Sequence, residues 1–100
     1  MPNWIINFLI LAIIISMNKK EVHEMLDLYI LESCPYCKKV MAFFEEVNIP
    51  FNKIDIKNNA NEETLIKLGG KRQVPFLVDN DRNIQMYESN DIIEYVKTII

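Results

Sequence analysis

The sequence predicts an α/β domain whose strands and helices follow in the order β-α-β-α-β-β-α. Two short predicted strands flank a segment with apolar residues at helical spacing. The first, Leu26–Leu31, is apolar, and the second, Phe51–Ile56, alternates imperfectly between apolar and polar residues. Such a β-α-β unit pairs its two strands in parallel through a right-handed crossover. Two further strands, Val74–Asp79 and Ile84–Tyr87, are separated only by the turn-forming segment Asn80–Asn83, which predicts an antiparallel hairpin. The four strands therefore form a mixed sheet.

The first strand is predicted to lead into the first helix through a proline. The strand LDLYIL is apolar and partly β-branched apart from Asp27, which is typical of a buried strand. Pro35 fits the first turn of a helix, where its missing N–H is not needed. The helix that follows has one apolar and one charged face, and Asn48 and Pro50 end it. Its apolar face consists of Val40, Met41, Phe43, Phe44 and Val47.

Two more helices follow the second and the fourth strand. Asn59 and Asn61 are candidate N-caps for a short helix with the sequence EETLIKL. The pair Gly69-Gly70 closes this helix, because glycine tolerates the left-handed conformation of a C-cap. Ser89 is a candidate N-cap for the last helix, NDIIEYVKTII, whose isoleucine and valine residues recur at helical spacing.

Length and composition limit the classes of function. The chain has 100 residues and a net charge of −3, with acidic and basic residues interspersed. One domain is expected at this length. There is no basic block and no stripe of aromatic and basic residues, so nucleic acid is not an expected partner. Two cysteines are too few for a disulfide framework.

An apolar run, Trp4–Met17, precedes the predicted domain. As a helix it would span about 21 Å, which is less than the roughly 30 Å hydrocarbon core of a bilayer. A secretory signal is not expected, because no basic region precedes the run and no convincing cleavage site follows it. Three interpretations stay open: a short membrane anchor, a true translation start at Met17, or a helix that packs on this domain or on a partner.

Lys19 and Lys20 follow the apolar run, and the positive-inside rule then leaves the rest of the chain in the cytoplasm. The expected organisation is an apolar segment at residues 1–17, a polar linker at 18–25 and a globular domain at 26–100. The expected localisation of that domain is cytoplasmic, with tethering to the cytoplasmic face of a membrane under the first interpretation.

The two cysteines, Cys34 and Cys37, lie in the sequence SCPYCKK, where the first strand meets the first helix. Cysteines at this spacing form a redox pair, one half of a metal site or a small structural disulfide. Tetrahedral zinc needs four ligands, and His23, the only histidine, cannot complete such a site, so no metal is expected. A helix start favours an anion, and Lys38 and Lys39 add positive charge, which favours a reactive thiolate at Cys34. Cys37, one turn further in, is expected to keep a higher pKa and to act as the resolving thiol.

Three short motifs together resemble the glutaredoxin family: CPYC after a strand, QVP before the third strand and YES before the last helix. The resemblance covers Leu26–Lys97 and is strongest to the N-terminal domain of the glutathione-transferase-like bacterial glutaredoxin. It implies that the predicted four-stranded mixed sheet and its helices form a thioredoxin fold.

The resemblance also implies which residues bind glutathione. Val74–Pro75 matches the family's cis-proline, whose preceding residue pairs through its backbone with the cysteinyl backbone of the substrate. Arg72 matches a position that binds the glycyl carboxylate. Glu88 and Ser89 match the pair that holds the γ-glutamyl end, and Tyr36 matches an aromatic residue that flanks the thiol and lines the groove.

By the same resemblance, Cys34 and Cys37 carry out glutathione-dependent thiol–disulfide oxidoreduction, with glutathione as co-substrate and no bound cofactor. The implied partners are glutathione and proteins that are glutathionylated or contain disulfides. Two alternatives stay open: a thioredoxin-like protein disulfide reductase served by a flavoprotein reductase, and a non-catalytic glutathione-binding module. This chain departs from the family in one respect. Many small glutaredoxins carry a lysine a few residues before the first cysteine, whereas Leu31, Glu32 and Ser33 occupy that stretch here. A carboxylate there is unfavourable for an anionic substrate unless it points away.

Overall fold

The computed structural model describes residues 26–100, so the predictions for residues 1–17 and 18–25 lie outside the described part. Within that part, the strands and helices follow in the predicted order. None of the helices within residues 26–100 has the length and apolar character that a bilayer crossing requires. The elements are β1 (Leu26–Ile30), α1 (Pro35–Glu46), β2 (Asn52–Asp55), α2 (Asn59–Gly69), β3 (Phe76–Asp79), β4 (Ile84–Met86) and α3 (Ser89–Ile99).

The four strands form one mixed sheet with the spatial order β2-β1-β3-β4. β1 runs parallel to β2, with Tyr29 opposite Ile54, and antiparallel to β3, with Leu28 opposite Leu77. β3 and β4 form the predicted antiparallel hairpin. The fold is a thioredoxin fold, which confirms the prediction from the sequence.

Helices cover both faces of the sheet, and the alternation of side chains along β1 shows which helices lie on which face. Leu26, Leu28 and Ile30 of β1 contact a cluster that includes buried side chains of α1 and α3. Tyr29, between them, belongs to a second cluster with Leu65 of α2. The two clusters place α1 and α3 on one face of the sheet and α2 on the other.

Both predicted N-caps of α2 are wrong, because the cap lies one residue before the first of them. Asn58, whose backbone is extended, caps this helix, and its Oδ1 accepts from the Ala60 N–H at 2.9 Å. The predicted caps, Asn59 and Asn61, both lie inside the helix. Asn61 instead donates from Nδ2 to the Asp55 carbonyl at 2.9 Å, which ties the helix to the end of β2.

Two element ends depend on the backbone properties of single residues. Gly70 ends α2 with a left-handed φ of 89°, as predicted. β3 begins at Phe76, whereas the prediction began it at Val74. Pro75 has no N–H to donate to a neighbouring strand, so the ladder starts after it.

Candidate active site

Cys34 lies at the N-cap of α1, between the end of β1 and the first helical turn. Its backbone is extended, with φ −81° and ψ 118°, and its N–H donates to the Leu31 carbonyl at 3.0 Å. Its Sγ accepts a hydrogen bond from the Cys37 N–H at 3.4 Å, and Pro35 begins the helix. The sulfur therefore lies, as predicted, where free N–H groups and the helix dipole favour a negative charge.

Cys37 is buried in the core, with 0% of its surface exposed. Burial raises the pKa of its thiol to about 12, and the hydrogen bond with Cys34 adds to the rise. Both cysteines are free, and Cys34 is partly exposed. The pair thus consists of an accessible sulfur at the helix start and a protonated thiol behind it. Among residues 26–100, no cluster of three or more His, Cys, Asp or Glu side chains is arranged to hold a metal ion.

A cavity of about 400 Å³ opens beside the first turn of α1. The Val74–Pro75 peptide bond on its wall is cis, as predicted. Of the residues that the family resemblance assigned to glutathione binding, all except Arg72 line this cavity. The lining comes from the start of α1, the segment before β3 and the start of α3, and it consists of Tyr36, Gln73, Val74, Pro75, Glu88, Ser89 and Asn90.

Glu88 precedes α3 with a left-handed φ of 60°, a conformation that is uncommon outside glycine. Nε2 of Gln73 donates to Oε1 of Glu88 at 3.2 Å, so the carboxylate is held at the cavity. Glu88, not Ser89, occupies the N-cap position, and its side chain makes no capping hydrogen bond. The prediction that Ser89 caps the helix is therefore wrong, because Ser89 is already the first helical residue. The first N–H groups of α3 are left without a capping side chain.

Tyr87 holds the segment that leads into Glu88. Its ring packs on Phe76 with a centroid distance of 4.5 Å, and its hydroxyl donates to the Lys71 carbonyl at 3.0 Å. The ring also lies against Gly69 at the end of α2, where a Cβ atom would collide with the Tyr87 hydroxyl. The position of Glu88 at the cavity therefore depends on close packing between Tyr87 and α2.

Arg72 and Glu32 both form ion pairs away from the cavity lining. Nε of Arg72 pairs with Oε2 of Glu62 on α2 at 2.8 Å. A guanidinium group has five N–H donors, so this contact leaves the Arg72 terminal nitrogens able to bind a carboxylate. Glu32 pairs with Lys53 on β2, which compensates the negative charge that departs from the family pattern.

Two residues that line the cavity, Gln73 and Asn90, were not predicted from the sequence. Gln73 belongs to the QVP motif, so the motif contained the signal that would have found it. Asn90 carries no such signal. Its Oδ1 accepts a hydrogen bond from Nζ of Lys39 at 2.8 Å, and these two residues lie 51 positions apart in the chain.

Comparisons with known proteins find a family match and several glutaredoxins among the relatives of this chain. Residues 28–99 match the family described as glutathione S-transferase, N-terminal domain. Glutaredoxin 1 of Rickettsia felis is 40% identical over 68 residues, which cover 64% of this chain and 66% of the relative. Glutaredoxin 2 of Escherichia coli is 39% identical over 71 residues, which cover 71% of this chain and 32% of the relative.

A solved structure agrees with these relatives. The crystal structure of glutaredoxin 2 from Salmonella typhimurium in complex with glutathione matches with a TM-score of 0.64 and 34% identity. The match covers 74% of this chain and 33% of that chain. The chain thus spans about a third of the length of the two glutaredoxin 2 proteins and just under two thirds of the Rickettsia relative.

Proposed function

Because the chain belongs to the glutaredoxin family, in the group that shares the glutathione S-transferase N-terminal domain, we propose that it is a glutathione-dependent thiol–disulfide oxidoreductase. The observation that carries the proposal is the position of Cys34. Its sulfur accepts the Cys37 N–H at the start of α1, and Tyr36, two residues further along the chain, lines a cavity of about 400 Å³. Sites for small molecules typically measure about 300–1,000 Å³, so the cavity has a suitable size for a glutathionyl group.

The first substrate class is a protein that carries a glutathione mixed disulfide. The Cys34 thiolate attacks the glutathionyl sulfur, and the protein thiolate leaves and takes up a proton. A second glutathione thiolate then attacks the glutathionyl sulfur on Cys34. This step forms glutathione disulfide and restores the Cys34 thiolate. The rate of each exchange depends on the thiolate fraction and on the pKa of the leaving thiol.

The second substrate class is a protein disulfide, for which both cysteines are needed. Cys34 attacks one sulfur to form a mixed disulfide, and the other sulfur leaves as a thiol. Cys37 then attacks the sulfur of Cys34 and passes its proton to the departing protein thiolate. Two glutathione molecules reduce the resulting Cys34–Cys37 disulfide. Because burial raises the pKa of Cys37 to about 12, Cys37 is protonated at neutral pH and leaves the first attack to Cys34.

The cavity residues supply the proposed binding roles. The Val74 backbone beside Pro75 pairs with the cysteinyl backbone of glutathione. Glu88 accepts from the γ-glutamyl amine, and Ser89, with the first N–H groups of α3, donates to the γ-glutamyl carboxylate. Tyr36, which has 63% of its surface exposed, covers the cysteinyl part of glutathione. Arg72 reaches the glycyl carboxylate with its terminal nitrogens.

Turnover of a glutathionylated peptide by the wild type, Cys34→Ser and Cys37→Ser tests the proposal. We expect Cys34→Ser to lose all activity, because it lacks the attacking sulfur. Cys37→Ser should keep its activity on the glutathionylated peptide and lose it on a protein disulfide, which needs a resolving thiol. Activity that survives in Cys34→Ser would overturn the assignment.

The source of electrons distinguishes the proposed function from the two alternatives that the sequence left open. We expect glutathione with glutathione reductase to sustain turnover. Turnover sustained only by a flavoprotein thioredoxin reductase would identify a thioredoxin-like reductase instead. Glutathione binding without turnover of either substrate class would identify a non-catalytic binding module.

We also propose that the domain works in the cytoplasm, with or without a tether. For a tethered chain, the proposal rests on Lys19 and Lys20, which follow the apolar run at residues 4–17 and favour the cytoplasmic side. Fractionation of the native protein, followed by N-terminal sequencing, distinguishes a membrane-bound chain that begins at Met1 from a chain that begins at Met17. Recovery of the protein outside the cytoplasm would contradict the proposal.

A further inference from the structure

The side chain of Asn90 has no role in the proposed mechanism. Asn90 is the second residue of α3 and lines the cavity. Its Oδ1 accepts a hydrogen bond from Nζ of Lys39, on α1, at 2.8 Å. This contact joins the two helices whose first turns border the cavity, and it places a positive charge next to Asn90.

The chemistry of lysine decides the orientation of the Asn90 amide. An ammonium group has three donors and no acceptor, so only the carbonyl oxygen of the amide can face Lys39. The amide nitrogen then lies on the other side, and within residues 26–100 the contact with Lys39 is the one hydrogen bond of this side chain. The N–H donors of the Asn90 amide are therefore available to a ligand in the cavity that this residue lines.

The neighbouring groups indicate which ligand group these N–H donors bind. On one side, the Glu88 carboxylate is held by Gln73 and can accept from an amine. On the other side, the first N–H groups of α3 have no capping side chain, and Lys39 adds a positive charge. A donor surface beside a carboxylate matches a ligand that carries a carboxylate and an ammonium group on the same carbon.

We propose that the side-chain amide of Asn90 binds the α-carboxylate of the γ-glutamyl residue of glutathione, and that Lys39 is the positioning residue that orients this amide. The inference rests on the proposed function, because it assumes that a glutathionyl group occupies the cavity. It adds to that function a specificity determinant formed by two residues of α1 and α3.

The test compares two mixed disulfides of the same peptide, one with glutathione and one with cysteinylglycine, which lacks the γ-glutamyl residue. KM and kcat are measured for the full-length wild type and for Asn90→Leu, Asn90→Asp, Lys39→Met and Lys39→Arg. Lys97→Met serves as the control, because Lys97 is an exposed lysine of α3 that pairs with Glu94 away from the cavity lining.

Asn90→Leu should raise KM for the glutathionyl peptide roughly tenfold, in line with a hydrogen bond to a charged group. Its kcat and its KM for the cysteinylglycinyl peptide should stay unchanged, because Asn90 does not touch the reacting sulfur. Asn90→Asp should raise KM further, since a carboxylate then faces a carboxylate. Lys39→Met should raise KM by a smaller factor, and Lys39→Arg should restore it because arginine also only donates.

The outcomes separate this inference from the function on which it rests. If the wild type does not prefer the glutathionyl peptide, the proposed glutathione-dependent function itself fails. If the wild type prefers it and both Asn90 variants keep that preference, the role of Asn90 is overturned and the proposed function stands. If Asn90→Leu raises KM for the glutathionyl peptide and Lys39→Met leaves it unchanged, the positioning role of Lys39 is overturned.

Discussion

At the scale of single residues, the two cysteines differ because α1 gives them different surroundings. Cys34 caps the helix and is partly exposed, whereas Cys37 lies one turn further in and has 0% of its surface exposed. Their order along the helix therefore assigns the accessible sulfur to attack and the buried thiol to resolution.

This difference predicts selective alkylation. Iodoacetamide at pH 7 should modify Cys34 of the native protein and spare Cys37, because Cys37 is buried and its pKa is raised to about 12. Peptide mass spectrometry locates the modified residue, and Cys34→Ser should react on the order of tenfold more slowly than the wild type. In concentrated guanidinium chloride both cysteines should react. Rapid alkylation of Cys37 in native Cys34→Ser would contradict the prediction.

Most cavity residues could be predicted from the sequence because they belong to short motifs. Val74–Pro75 and the segment Glu88-Ser89 were found in this way. Contacts between distant residues could not be predicted, and Asn90 is the clearest example, because its partner Lys39 lies 51 positions away. Nothing in the local sequence of either residue indicates that they meet.

At the scale of elements, the end of α2 packs against the segment that precedes α3. Tyr87 packs against Gly69 and Phe76, and its hydroxyl donates to the Lys71 carbonyl. The next residue is Glu88, which lines the cavity. A side chain at position 69 should therefore disturb the cavity through Tyr87.

Gly69→Ala tests this packing through the sign of its effect on stability. In an unobstructed helix, replacing glycine by alanine stabilises a protein by about 1 kcal/mol. Here the new Cβ atom would collide with Tyr87, so we expect a loss of about 1–3 kcal/mol in the free energy of unfolding and a higher KM for the glutathionyl peptide. Urea denaturation measures the first quantity.

The matched control for this prediction is the same substitution in a Tyr87→Ala background. Removing the ring eliminates the two shortest contacts of the Cβ atom and leaves only Phe76 Cε1 at 3.1 Å, so Gly69→Ala should destabilise the chain much less. The double-mutant cycle should therefore show coupling between the two positions. Equal effects of Gly69→Ala in both backgrounds would exclude the proposed collision.

At the scale of the whole molecule, a buried carboxylate joins the sheet to α3. Asp79 ends β3 and has 0% of its surface exposed. It accepts hydrogen bonds from the Tyr95 hydroxyl of α3 and from Nη1 of Arg82, the latter at 3.2 Å. Burial alone would favour the neutral acid, but the bonds from Tyr95 and Arg82 together hold the pKa of Asp79 below its ordinary value. The ionised form of Asp79 therefore stabilises the fold.

Tyr95→Phe should lower the free energy of unfolding at pH 7 by about 1–3 kcal/mol, because the ionised Asp79 loses a hydrogen bond. The pH dependence has a definite sign. Since the folded pKa of Asp79 is depressed, its contribution is complete above the ordinary value of 3.8 and is lost as the pH falls through the folded pKa. Tyr95→Phe raises that folded pKa, so acid unfolding should begin at a higher pH.

Acid titration followed by circular dichroism checks this expectation. Tyr36→Phe is the control, because Tyr36 is 63% exposed and its hydroxyl forms no hydrogen bond within residues 26–100. The control should unfold at the same pH as the wild type. An unchanged acid transition in Tyr95→Phe would show that Tyr95 does not stabilise the Asp79 carboxylate.

The family resemblance predicted the cis bond at Val74–Pro75. The sequence by itself determined the order of the strands and helices and the place of the two cysteines at a helix start. These properties follow from periodicity, turn residues and short motifs, which are all local in the chain. The tertiary structure alone decided which distant groups meet: Gln73 with Glu88, Lys39 with Asn90, and Tyr95 with Asp79. The physical reason is that such contacts depend on how α1, α2 and α3 pack on the sheet, and no single segment contains that information.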